Sequence, residues 1–190
     1  SRFEEVLGER AKVTVTGMLP ILGSTLNGLI QAAAHSYMIA FGVISLMMIL
    51  LLGSIRLGLL SVVPNLLPII MVMGLMELLA IPLDMFTMLV ASIAIGITVD
   101  DTIHFMYNFR RSHVASGNAV DAVFETLRVA GRAMLVTTVV LTCGFLIFTL
   151  SEMGNLWGFG TLIAATVTLA LLADFLVAPA LMVLVYGRNT

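Results

Sequence analysis

Ser92-Ile-Ala-Ile-Gly-Ile-Thr-Val-Asp-Asp-Thr-Ile-His-Phe-Met106 is the stretch that decides how this chain folds. Its residues are apolar, small or hydroxyl-bearing, except for the adjacent acids Asp100 and Asp101 and for His104. The flanks are just as apolar, so the stretch reads as a helix crossing a membrane, with both carboxylates below the headgroups. A charge at the centre of such a helix costs about 2.5–3.5 kcal/mol on insertion scales, so intramembrane acids face a polar interior or a pathway. Two side by side, with His104 one turn on, point to proton or ion handling.

The composition agrees. Hydrophobic residues make up 60% of the 190 and charged residues 11%, where a soluble domain has roughly 45–50% and 25%. The net charge of −2, without a basic run, gives no footing for nucleic acid. The single Cys143 cannot form an intrachain disulfide. The 13 methionines are scattered rather than repeated at ligand spacing, so they read as flexible packing and no metal site is expected. No glycine loop for a nucleotide occurs, and no cofactor is expected. The chain opens at Ser1 on a charged stretch, Arg2 to Lys12, without a signal-peptide pattern, and is expected to be part of a longer protein.

Working outward, residues 1–36 differ from the rest. Lys12-Val-Thr-Val-Thr-Gly17 alternates polar and apolar residues, which predicts a short strand. Leu22 to Ala34 predicts a mildly amphipathic helix, interfacial or leading into the first span. These residues are expected to be the end of an extracytoplasmic domain. Residues 37–190 are expected to be a five-helix transmembrane domain, with spans near 37–55, 58–80, 85–109, 133–151 and 156–186. Pro64 and Pro68 should bend the second span, and Asp84 stands where the third needs an N-cap. The polar connection Arg110–Arg132 predicts a cytoplasmic amphipathic helix at about 118–130, with Val120, Val123, Phe124 and Leu127 on its apolar face. Arg56, Arg110, Arg111, Arg128, Arg132 and Arg188 all fall at one set of span ends, while the opposite loops hold Asp84 and Glu152. By the positive-inside rule the C-terminus is cytoplasmic and the N-terminus extracytoplasmic.

At about 1.5 Å of rise per residue, Asp101 lies roughly 12 Å above the cytoplasmic end of its span, and Asn65 at about the same height. Thr138 and Thr142 fall at roughly 8 and 14 Å, and Asp174 at roughly 18 Å. Four helices thus offer a polar side chain within one slab, as a buried proton relay requires. Asp100, Asp101 and His104 are the candidate relay, because His104 is within helical reach of either acid. Asn65, Thr138, Thr142 and Asp174 are the candidate supporting layer. Plainer roles stay open for each. Asp174 could cap a helix break before Pro179, and Asn65 could satisfy groups freed by the prolines. The threonines could be ordinary helix–helix hydrogen bonders, and His104 could face the cytoplasmic mouth.

Gly96-Ile-Thr-Val-Asp-Asp-Thr-Ile-His104 on the third of five spans resembles the fourth transmembrane helix of resistance–nodulation–division (RND) transporters. Supporting features are Pro64-Asn-Leu-Leu-Pro68 after Arg56, Ile81-Pro-Leu-Asp84, Gly131-Arg-Ala133 and Ala173-Asp-Phe-Leu-Val-Ala-Pro179. The resemblance is nearest to the MmpL-type and predicted-exporter branch, which is related to sterol-sensing-domain proteins, and it covers essentially the whole chain. It implies helices 2–6 of a six-helix repeat, or helices 8–12 of the second repeat, the latter favoured by the stop at Gly187-Arg-Asn-Thr190. In that family the acidic pair couples proton entry to export, a role that carries onto Asp100 and Asp101. Drug-efflux members also use an intramembrane Lys. No span here holds one, which turns the expectation toward the lipid branch.

The leading expectation is a proton-driven export module for a lipid or other hydrophobic molecule, in a bacterial inner membrane. Its partners would be protons, membrane lipids, the substrate and the other six-helix repeat, with a homo-oligomer left open. A sterol- or lipid-sensing module without turnover is the alternative. An intramembrane aspartyl protease is disfavoured, because Thr98-Val-Asp100 replaces the Gly-x-Gly-Asp such enzymes carry, so no enzyme is expected.

Overall fold

A computed structural model describes residues 17–82 and 84–187, all-helical apart from short turns and caps. The chain divides into two units, one ending at Ala40 and one beginning at Phe41. The strand expected at 12–17 falls almost wholly outside the described residues. Helix α1 is Met18–Leu52, and its membrane-length portion is Asn27–Leu52. The lead-in helix and the first span are therefore one helix. No proline occurs between Ile21 and Leu52 to separate them.

In the second unit, Gly53 turns the chain with φ +56°, a conformation that glycine adopts without a Cβ penalty. The Arg110 guanidinium donates to Leu51 O at 3.0 Å and holds this turn. Helices α2 (Ile55–Leu60) and α3 (Val62–Leu78) together make the second span. They part at Ser61, one turn before Pro64, whose missing N–H leaves the Leu60 carbonyl without its helical donor. Side chains take up some of the slack. The Ser61 hydroxyl donates to Gly58 O at 2.7 Å, and Asn65 Nδ2 donates to Ser61 O at 2.9 Å.

Helix α4 (Met85–Ser116) starts on a capping box. Asp84 accepts from the Thr87 N–H at 2.8 Å, and Thr87 Oγ1 accepts from the Asp84 N–H at 2.7 Å. It ends at Gly117, in the left-handed conformation. Helix α5 (Ala119–Leu146) follows at once and closes in a 3-10 turn, Ile147–Leu150. The amphipathic segment near 118–130 is thus not a separate surface helix but the first turns of the fourth span. Only Gly117 and Asn118 break the chain there. Its bundle-facing residues are mostly others than the four apolar ones named above. Ala119, Ala122, Val123 and Thr126 are buried, whereas Val120 and Phe124 are exposed.

Helix α6 (Gly154–Tyr186) packs against α3, α4 and α5. Small residues make this central position available, with Gly158, Gly160, Ala164, Ala170, Ala173 and Ala178 all buried. A Cβ at Gly160 would lie 2.5 Å from the Phe145 carbonyl oxygen, so the two backbones nearly touch. Lipid tails are as apolar as leucine, so close packing of this kind has to supply much of the attraction between membrane helices.

Two apolar clusters form the interior. One gathers Leu57, Phe105, Phe109, Met134, Ala178 and Met182 toward the arginine-bearing ends. There Phe109 stacks on His113, and Tyr186 meets both rings edge-on, with centroids 5.0–5.9 Å apart, tying the end of α4 to that of α6. The other gathers Val72, Val90, Leu162, Ile163 and Val167 toward the opposite end. Leucines, valines and methionines cover much of the outside. Among the described residues five helices are long and apolar enough to cross a membrane, and the protein is an integral membrane protein.

Candidate functional site

Between the two apolar clusters α4 carries Thr98, Asp101 and Thr102, all buried. Facing them are Asn65 of α3, 3% exposed, and Asp174 of α6, 1% exposed. The Thr102 hydroxyl is the hub of this layer. Its oxygen lies 2.8 Å from Asp174 Oδ1, 2.9 Å from Asn65 Oδ1 and 3.1 Å from Thr98 O. Three spanning helices meet on one hydroxyl.

The adjacent acids part company, as a 100° step along a helix requires. Asp101 turns inward and is 8% exposed. The Asp100 side chain turns out of the bundle, 74% exposed, with His104 Nε2 at 4.0 Å. Among these helices Asp101 is therefore enclosed and Asp100 is not. All three line one cleft of about 260 Å³ between α4 and α5, with Asn108 and Thr137 on its walls. Asp101 thus belongs both to the cleft lining and to the buried residues of α4.

The other residues of the expected layer divide. Asn65 and Asp174 belong to the hub. Thr138 is buried, but its hydroxyl has no hydrogen-bond partner. Thr142 pairs with Thr168 at 3.3 Å on a separate outward groove lined by Met71, Leu75 and Leu169, so it is not part of the layer. Thr102 was not singled out by sequence reasoning. Its signal was available, because it lies one position past Asp101 and i+4 from the buried Thr98.

No Lys or Arg forms an ion pair with Asp101 or Asp174 among the described residues. Nor do three His, Cys, Asp or Glu side chains gather there in a way that could hold a metal ion. What the arrangement offers chemically is a buried set of oxygen-bearing groups next to a cleft lined by Asp100, Asp101 and His104.

The description of the MMPL family matches residues 3–189, and the chain belongs to that family, within the RND superfamily. A Methanocaldococcus jannaschii protein, named only as a membrane protein, is 29% identical over 178 residues. The match takes in 91% of this chain and 45% of that relative, so the chain spans about half its length. No solved structure matches the chain.

Proposed function

We propose that this chain is the proton-coupling transmembrane module of an exporter for a lipid or other hydrophobic molecule. The observation that carries the reading is Asp101, buried at the middle of α4 yet opening on the Asp100–His104 cleft, without a basic partner among the described residues. An anion there is costly in the membrane interior, so a proton is the natural neutralising partner. Protonation removes the buried charge and lets the helices repack, shifting the population between access states. The arginine-bearing ends then lie on the cytoplasmic side of a bacterial inner membrane. The partners are then protons, the hydrophobic cargo, surrounding lipids and the second six-helix repeat. On this reading the chain is no enzyme.

The test is gradient-driven efflux of a fluorescent hydrophobe from proteoliposomes holding the full-length protein. Asp101→Asn should abolish it and Asp100→Asn should weaken it. Efflux that persists in Asp101→Asn rejects the proposal.

A lipid-sensing module is the second reading, favoured by one observation. An open apolar groove of about 660 Å³ runs between α3, α5 and α6, with the Thr142–Thr168 pair as its polar spot. Saturable sterol binding that ignores the proton gradient, together with absent efflux, would decide for it.

A further inference from the structure

The Thr102 hub contains a shortage of hydrogens. Its hydroxyl has one proton, while Asp174 Oδ1 at 2.8 Å, Asn65 Oδ1 at 2.9 Å and Thr98 O at 3.1 Å all surround it as acceptors. The Asn65 amide cannot turn round to help. Its Nδ2 donates to the Ser61 carbonyl at 2.9 Å, and a carbonyl only accepts, so Oδ1 must face Thr102. The Thr98 carbonyl already receives the Thr102 N–H in the i→i−4 pattern of the helix. It can spare the side chain.

Two short contacts, to Asn65 and to Asp174, therefore compete for one proton. The count balances in one way. A protonated Asp174 carboxyl donates to Thr102 Oγ1, and the Thr102 hydroxyl donates onward to Asn65 Oδ1. When Asp174 is ionised, the hydroxyl proton turns to the carboxylate. Asn65 Oδ1 then faces the lone pairs of an oxygen 2.9 Å away, with both residues buried. A buried acceptor without a donor is unfavourable, so Asn65 has to move. Asn65 stands between Pro64 and Pro68 on α3, where missing backbone donors make the helix easier to bend.

We propose that Asp174 is a second proton-carrying group, and that the Thr102 hydroxyl reports its protonation state to Asn65 on the proline-bearing helix. The proposal rests on the proton-coupling reading given above and extends it from the cleft to the interior. Only a proton moves. It enters by the cleft past Asp101 and converts the Asp174 carboxylate to the acid, leaving all other bonds intact. The ionisable group facing Asp174 is Asp101, on α4. Helix α3 offers the neutral Asn65, and α5 carries its charges, Asp121, Glu125, Arg128 and Arg132, in its first half. An anionic Asp101 therefore opposes an anionic Asp174, which favours sharing one proton between them.

Infrared difference spectroscopy on pH steps, with the full-length protein in proteoliposomes, reads the carboxyl directly. A protonated-carboxyl C=O band should be present, be lost in Asp174→Asn, move to higher frequency in Thr102→Val and return close to its original place in Thr102→Ser. Merely structural roles for these residues would not produce that pattern. A band set unchanged by Asp174→Asn, or unmoved by Thr102→Val, overturns the proposal. Should Asp174→Asn fail to fold, the Thr102 pair gives the same reading. Asp101→Asn, assayed for efflux alongside, separates the two ideas. Efflux untouched in Asp101→Asn defeats the coupling reading, whereas efflux lost there with no Asp174 band defeats this inference alone.

Discussion

Thr102 Oγ1 lies 2.8 Å from Asp174 Oδ1, across 72 residues of sequence, and this contact ties the third span to the fifth. Because the same hydroxyl also meets Asn65, it is the point where three helices share one polar contact in an otherwise apolar interior. Interhelical hydrogen bonds in membranes average about 0.6 kcal/mol and reach about 1.7. A double-mutant cycle of Asn65→Ala with Thr102→Val should give a coupling inside that range. Unfolding of the purified protein in graded denaturing detergent measures it, and strictly additive effects would mean that the contact contributes nothing.

The two acids should differ in consequence. Asp101 is enclosed while the Asp100 side chain is 74% exposed from these helices. Asp101→Asn is expected to lower gradient-driven efflux by about a hundredfold or more, the scale on which losing a proton-transfer group acts. Asp100→Asn should cost less. Equal losses would show that the outward acid is enclosed by something beyond these five helices and shares the work.

His104 should matter little. Its Nε2 is 4.0 Å from Asp100 and its side chain is 65% exposed. Exposed pairs contribute about 0.2–1 kcal/mol, so His104→Gln should change efflux by less than about fivefold. The pH profile of efflux checks this, because a relay role for His104 would displace the profile as well as lower it.

Asp84→Ala removes the capping box shared with Thr87. A loss of about 1 kcal/mol is expected, with a range of about 0.5–2. Asp84→Ser should recover most of it, since serine also accepts from the first turn. A thermal shift of the purified protein distinguishes the two variants.

Two glycines make a matched pair. At Gly160 an added methyl meets the Phe145 carbonyl at 2.5 Å and Phe148 Cβ at 2.8 Å, whereas at Gly144 nothing lies within 4 Å. Gly160→Ala should destabilise by about 1–3 kcal/mol through overpacking. Gly144→Ala should be neutral or stabilise by up to about 1 kcal/mol, because alanine favours helix interiors. The same unfolding assay reads both. A tolerated Gly160→Ala would mean that α5 and α6 do not approach as closely as described.

The sequence by itself determined the membrane class, the five spans, the Asp84 cap and which polar side chains each span carries. Those conclusions follow from local properties: runs of apolar residues of bilayer length, the caps and prolines that punctuate them, and the cost of an acid in hydrocarbon. Helix ends were less legible. The 118–130 segment has an amphipathic pattern whether it stands alone or opens a long helix, and only the chain's path through Gly117 and Asn118 distinguishes the two. Depth along a span could be counted from residue number, but rotation about each axis could not. That is why Thr142, at the right height, faces a different groove, and why Thr102, an unremarked neighbour of the acids, became the hub. Which of two adjacent aspartates points inward depends on how α3 and α6 pack against α4, a property of side chains far apart in sequence that tertiary structure alone decides.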